Sequence, residues 1–186
     1  MLRLFTGIRL PLYLRQQLSL LQGGIPGARW TNIEDYHITL SFIGNVDEAT
    51  AEDIDEVLSG IRIPTFKLSL KGAGCFTRGD TPGYLWIGIE HNELLHRLKE
   101  KIDHILEAHK LPFEKRKYTP HVTVARLKNS TGTEAAEFIQ RHNLFTGGPF
   151  EVDEFTLYQS HHVNEGPTYE ELTSYPLSYA MVAQTS

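Results

Sequence analysis

Two short stretches of the chain carry residues that can do chemistry. One is Tyr36-His37-Ile38-Thr39-Leu40-Ser41-Phe42, the other Pro120-His121-Val122-Thr123-Val124-Ala125-Arg126. Both read His-x-Thr-x with an aliphatic last position, and the two histidines stand 84 positions apart, one in each half of the chain. Successive side chains of a strand point to opposite faces, so His37 shares a face with Thr39, and His121 with Thr123. Ile38, Leu40, Val122 and Val124 then point the other way, into a core. Set across one phosphate, two such units suit an in-line displacement. A neutral imidazole takes the proton of the attacking oxygen, and a protonated one gives a proton to the leaving oxygen. Histidine serves both roles near neutrality because its ordinary pKa is about 6.5. The threonine hydroxyls can donate to the non-bridging oxygens, where charge grows in the transition state. This scheme needs no metal and no cofactor.

A single His-x-Thr-x carries little information in a chain with 9 histidines, and taken alone it reads as a strand-edge histidine. Two copies on aliphatic-alternating strands, one in each half, are much harder to obtain by chance.

The elements that must position these strands follow from periodicity and punctuation. Leu2 to Leu10 reads as a strand. Pro11 opens a helix whose Leu14, Leu18 and Leu21 recur at helical spacing until Gly23-Gly24. Trp30-Thr31 is a short extended piece, and Gly44-Asn45 ends the first motif strand. Asp47 caps a helix running through Leu58. Thr65 to Lys71 alternates as a half-buried strand, Gly72 to Gly83 reads as irregular, and Tyr84 to Glu90 as a strand. Asn92 caps the longest helix, to about His109, with Leu94, Leu95, Leu98, Ile102, Ile105 and Leu106 as its stripe. Thr133 or a neighbour caps a helix to about Arg141. Phe150 to Ser160 reads as one long strand whose apolar phase changes near Asp153, as a bulge would cause. Asn164 to Pro167 is a turn, with strands Tyr169–Leu172 and Leu177–Ala183 around it. The order β-α-β-α-β-β-α-β-α-β-β-β implies an α+β fold with largely antiparallel sheets. Strand–helix–motif strand–helix–strand occurs twice, so two similar lobes related by a pseudo-twofold would set the motif strands on opposite walls of a cleft.

Composition bounds the function. A hydrophobic content of 40% and a charged content of 22% are those of an ordinary globular protein. A formal charge of −5 argues against gripping long nucleic acid by bulk charge, and leaves room for a local basic patch. The single cysteine, Cys75, excludes an internal disulfide and a cysteine-based zinc site, and reads as a structural thiol. The apolar start, Leu4 to Leu10, is interrupted by Arg9 and is too short for a signal or membrane segment. The expected setting is a reducing cytoplasm, with no membrane and no obligate protein partner.

Other clusters carry less. His91, His96, His104 and His109 lie along the long helix without His-Glu-x-x-His spacing and read as a solvated face. His161 and His162 point to opposite faces. Gly72 to Gly83 lacks a phosphate-loop pattern. Lys115-Arg116-Lys117 reads as a solvated run, with contact to a nucleic-acid backbone as the alternative because it abuts the second motif. Trp30 and Tyr158 read as core.

Over nearly its whole length the sequence resembles the 2H phosphoesterases, and within them the bacterial and archaeal RNA 2′,3′-cyclic phosphodiesterases, also called 2′-5′ RNA ligases. The resemblance rests on Arg3 to Pro11, Trp30, His37-Ile38-Thr39-Leu40-Ser41-Phe42-Ile43-Gly44, Pro120 to Arg126, Phe155 to Ser160, Gly166 and Tyr169. It implies a bilobal fold with two mainly antiparallel sheets flanked by helices around a cleft, residues 1–186 forming one domain of two lobes. It implies opening of a terminal RNA 2′,3′-cyclic phosphate, or of a small cyclic nucleotide, to a 2′-phosphomonoester. His37 would be proton donor and His121 proton acceptor. Thr39 and Thr123 would hold the phosphate, and Arg126 would add charge there, although strand parity sets it on the face opposite His121. Phe42, at the equivalent place after the first motif, offers a ring for base stacking. Three alternatives stand beside this reading. They are 2′-5′ ligation in the same site, an RNA-end-binding module without turnover, and a metal-dependent phosphohydrolase, against which the lack of carboxylate–histidine clusters counts.

Overall fold

The computed structural model describes residues 1–163 and 166–178. The elements are β1 (Leu2–Arg9), α1 (Leu12–Ser19), β2 (Ala28–Trp30), a 3-10 turn at Ile33–Asp35, β3 (His37–Val46), α2 (Glu48–Ser59), β4 (Phe66–Arg78), β5 (Thr81–Ile89), α3 (Glu93–Ala108), β6 (His121–Leu127), α4 (Gly132–His142), β7 (Thr146–Val152), β8 (Glu154–Val163) and β9 (Gly166–Pro176). The strands form a nine-stranded sheet in the order β7-β4-β5-β6-β3-β1-β8-β9, with β2 paired to β6, and every strand pairing is antiparallel. The fold is α+β, as expected. The two expected sheets are the two halves of this one sheet. They meet at β3 and β6, where the registered pair is Ile38 with Val122.

That pair relates the halves. Ile38 and Val122 hold the same place in the repeated motif, so an antiparallel pairing between them is self-symmetric. Their side chains, with Leu40 and Val124, are at most 2% exposed and lie in one continuous core with the helices. The longest helix shows why these elements form here. Asn92 caps α3 by accepting from the Leu95 amide at 3.0 Å. Leu95, Leu98, Ile102 and Leu106 then recur on one face and are fully buried, each contributing about 1.5–3 kcal/mol relative to exposure. In α4 the cap is Thr131, which forms a reciprocal capping box with Glu134.

Three departures from the sequence expectation matter. Gly44-Asn45 does not end the first motif strand, which runs on to Val46; Gly44 adopts φ +95°, open to glycine. Residues 72–83 are not irregular: β4 continues to Arg78 and returns as β5, making a long hairpin. The phase change near Asp153 is not a bulge in one strand. It is a transfer between the two half-sheets, β7 pairing with β4 and β8 with β1. Val152 and Glu154 therefore lie near opposite ends of the strand order, and the sheet must curl until its ends meet at Asp153. The Leu177 amide closes that junction by donating to the Asp153 carbonyl at 2.6 Å. Of the expected Leu177–Ala183 strand, Ser178 bridges in parallel to Pro64, and the rest lies outside the described residues, as do Asn164 and Glu165 of the expected turn.

Candidate active site

His37, Thr39, His121 and Thr123 flank the Ile38–Val122 seam. Extending that antiparallel register by one residue each way turns His37 toward Thr123 and Thr39 toward His121, all on the face opposite the core. The sequence places the motif strands on opposite walls of a cleft; the structure instead sets them side by side as neighbouring strands of one sheet, turned to a common face.

Each ring is oriented in the same way. The Nδ1–H of His37 donates to the Asp35 carbonyl at 2.7 Å, and that of His121 donates to the Thr119 carbonyl at 2.7 Å. A carbonyl only accepts, so Nδ1 carries the proton and Nε2 is the reactive nitrogen in both rings. The Nε2 of His37 lies 3.1 Å from the Thr39 hydroxyl, which donates to it in the neutral state. Asp35 is itself half-buried, its carboxyl accepting from the Asn32 side-chain amide at 3.4 Å.

The surroundings favour the neutral rings. Desolvation pushes the His37 imidazole down from 6.5 to about 4; the Asp35 hydrogen bond opposes this, and the neighbouring His121 adds to it. Phe5 and Tyr169 stand 4.9 and 4.8 Å from the His37 ring, with Tyr158 at 5.9 Å. Burial also lowers His121, the Thr119 hydrogen bond opposes it, and Arg116 lowers it further. A cavity of about 150 Å³ opens beside His37 between Arg9, Glu34, Tyr158, Tyr169 and Glu171. Arg9 crosses it, bonded to Glu34 at 2.9 Å and Glu171 at 2.6 Å.

Strand parity alone would set Arg126 behind the sheet. A register shift between β5 and β6 corrects this: Thr123 pairs with Trp86 but Ala125 with Leu85, so Val124 is an extra residue. Val124 and Ala125 are both buried, and Arg126 emerges exposed on the face of His121 and Thr123. The first motif repeats the device. Thr39 pairs with Gly7 and Ser41 with Thr6, so Leu40 is extra, and Leu40 and Ser41 are both buried. Phe42 thereby joins His37 and Thr39, its ring 5.6 Å from Phe5. Phe42 is half-buried, and the Arg116 guanidinium covers it at 5.3 Å from the ring centroid. Behind the first bulge the Ser41 hydroxyl donates to Asp103, whose other oxygen accepts from Lys99. The Tyr118 hydroxyl donates to the Thr39 carbonyl at 3.2 Å. Behind the second, Thr31 donates through its amide to Val124 and through its hydroxyl to Thr123.

The remaining candidates lie elsewhere. His91 pairs with Glu93, His161 with Glu170 and His162 with Arg3. Cys75 is half-buried on the opposite side of β4, paired in register with Leu85. Lys115 is tied to Glu107, whereas its neighbour Arg116 reaches the site. Asp35, Trp86 and Phe76 are site neighbours that sequence reading did not single out, whereas Arg116 belongs to the basic run that it marked beside the second motif.

Two half-sheets carrying one His-x-Thr each, turned to a common face across a self-symmetric seam, are the architecture of a 2H phosphoesterase. The family model of the 2′-5′ RNA ligase superfamily matches residues 31–164, a span containing both motifs, and the chain belongs to that superfamily. It is 34% identical over 156 residues to the RNA 2′,3′-cyclic phosphodiesterase of Aeropyrum pernix, covering 83% of this chain and 88% of that one. It is 31% identical over 175 residues to the RNA 2′,3′-cyclic phosphodiesterase of Archaeoglobus fulgidus, covering 92% and 98%. Apo LigT of E. coli shares the fold with a TM-score of 0.77 at 24% identity, over 95% of this chain and 98% of LigT. Among the described residues no helix is long and apolar enough to cross a membrane.

Proposed function

We propose that the chain hydrolyses RNA ends bearing a 2′,3′-cyclic phosphate to 2′-phosphomonoesters, by metal-independent acid–base catalysis between His37 and His121. The observation that carries this reading is the common face of His37, Thr39, His121 and Thr123 across the Ile38–Val122 seam. The names of the curated relatives support the substrate. The Nε2 of neutral His121 takes a proton from water as its oxygen bonds to phosphorus. The P–O3′ bond breaks, and His37 delivers its Nε2 proton to O3′. In the free protein His37 is held neutral by desolvation. An anionic phosphate within reach of both rings raises their proton affinity, so His37 takes up its donor proton from solvent as substrate binds. Thr39 and Thr123 donate to the non-bridging oxygens, and Arg126 adds positive charge. Phe42 offers a ring for base stacking. Residues 1–186 act as one domain of two lobes, in a cytoplasmic setting.

The test is incubation with an oligonucleotide ending in a 2′,3′-cyclic phosphate, in EDTA, with identification of the product. A 2′-phosphomonoester is expected. Activity abolished by EDTA, or retained in full by His37→Ala or His121→Ala, overturns the mechanism. A protein that binds the RNA end without converting it is a binding module instead. The same geometry, with a 5′-hydroxyl in place of the attacking water, joins that oxygen to phosphorus as P–O3′ breaks, the reading favoured by the superfamily's name; a 5′-hydroxyl oligonucleotide added to the assay reports it as a 2′-5′ linked product.

A further inference from the structure

The two lobes differ at one place where their symmetry makes them comparable. On the first lobe the residue paired with Thr39 is Gly7. On the second lobe the residue paired with Thr123 is Trp86. Beside one phosphate-facing threonine the sheet is bare backbone, over which the His37 ring folds; a Cβ on Gly7 would stand 3.5 Å from its Cδ2. Beside the other lies an indole.

That indole is laid flat. Gly74 faces Trp86 across the β4–β5 hairpin, and a Cβ there would fall 2.2 Å from Cζ2 and 2.3 Å from Cη2. Gly88, two residues along β5, lies beneath the other edge, where a Cβ would come 3.4 Å from Cζ3. Any side chain at Gly74 would lift the ring off the strand. Two neighbours frame it: Phe76 at 5.3 Å, itself edge-on to the His121 ring at 4.7 Å, and His121 at 6.2 Å. Trp86 and Phe76 are half-buried and keep some exposure, unlike Phe5 and Tyr158 of the first lobe, which are 1% and 4% exposed and pack around His37.

The polar atom of the indole is spent on this posture. Trp86 Nε1 is buried with no hydrogen-bond partner among the described residues. Leaving a buried donor unsatisfied is unfavourable, and a core packing role would be filled better by an aliphatic side chain. What the arrangement leaves for the cleft is the π-face alone, beside Thr123 and on the same face as Arg126.

We propose that Trp86 is the platform on which the nucleobase of the cyclic-phosphate-bearing nucleotide stacks, a deepening that rests on the phosphodiesterase reading. Thr123 holds the phosphate, the ribose spans the gap, and the base lies on the indole with Arg126 at the far end of the same row. Stacking needs only a π-face, so the platform accepts any base and favours purines for their larger overlap.

Two measurements test this. The chain has 2 tryptophans, so Trp30→Phe leaves Trp86 as the sole indole. Titration of that variant with adenosine 2′-monophosphate is expected to quench its fluorescence saturably, whereas inorganic phosphate is not. Nucleotide binding detected by calorimetry without quenching, or no nucleotide binding, overturns the proposal. In the second arm, Trp86→Leu and Trp86→Phe are compared on adenosine 2′,3′-cyclic phosphate and on base-free glycerol 1,2-cyclic phosphate. Trp86→Leu is expected to raise KM for the nucleotide by about 5- to 100-fold, the size of one stacking contact. It should leave the base-free compound unchanged, with Trp86→Phe restoring most of the loss. Equal losses on both compounds, or none on either, overturn it. If wild type converts neither compound, the oligonucleotide assay decides the hydrolysis reading and quenching decides the stacking. If Trp86→Leu does not fold, the fluorescence arm decides.

Discussion

Ile38 and Val122 occupy the same position of a repeated motif and pair with each other, so the pseudo-twofold axis passes between them. Everything that faces the cleft is counted outward from this pair. One residue away stand the histidines on one side and the threonines on the other. A bulge follows at Leu40 and again at Val124, and beyond it Phe42 and Arg126. The scaffold is symmetric through these positions, and the side chains stop being so at Phe42 against Arg126 and at Gly7 against Trp86.

The histidines should behave as a couple. His37→Ala and His121→Ala are each expected to lower the single-turnover rate by about 10²–10⁴. The double variant should lose less than the product of the two, because either loss already disables the concerted transfer. A double variant showing the full product would refute the coupling.

Stability should depend on pH through His37. Its pKa is about 4 folded, lowered by desolvation, against an ordinary 6.5. Between those values the unfolded chain binds the extra proton, so stability is complete above pH 6.5 and is lost as pH falls toward 4, by about 3 kcal/mol at the most. Urea melts across that range are expected to show this slope, and His37→Gln to flatten it. Inorganic phosphate should bind more tightly as pH falls through the same window, since an anion between the rings favours their protonated forms.

Arg116 should be visible in the pH profile of kcat/KM. Burial is the main cause of the lowered His121 pKa, and Arg116 adds to it. Arg116→Ala therefore raises the His121 pKa, and with His121 as acceptor the acid limb should move to higher pH. Arg126→Gln is expected to raise KM without that movement. An unmoved limb in Arg116→Ala would remove Arg116 from the electrostatics of the site.

The polar group behind the first bulge is a stability element. Lys99 is 8% exposed and Asp103 27% in their side chains, and both sit under Ser41. Lys99→Met strands the Asp103 carboxylate and should cost about 3 kcal/mol in urea unfolding, near the low end for breaking a buried pair because Asp103 keeps some water. Adding Asp103→Asn should restore part of it. A Lys99→Met protein as stable as wild type would show that the pair contributes nothing.

The histidines and threonines were legible because alternation with a period of two is written in the residues themselves. The bulges were not. Leu40-Ser41 and Val124-Ala125 are successive buried residues, but a small or apolar pair inside a strand reads as continuation, and the extra residue appears only against a neighbour's register. This is why Arg126 seemed to face away. Trp86 was illegible for a related reason, since its posture depends on Gly74, 12 residues earlier and on another strand. The glycines of residues 72–83 read as turn signals, whereas Gly74 is absent of side chain to make room for a ring. The change of phase at Asp153 was seen, but local pattern cannot distinguish a kink within one strand from a passage between two.

That passage at Asp153 also bears on how the cleft works. The half-sheets are joined at their middle by Ile38 and Val122 and again at their outer ends, where one peptide segment leaves β7 and enters β8. A sheet pinned at both places has no free hinge about which to swing its halves apart. The separation of the two imidazoles is consequently built in during folding, before any substrate arrives. The proposed reaction then requires no closing motion of the lobes.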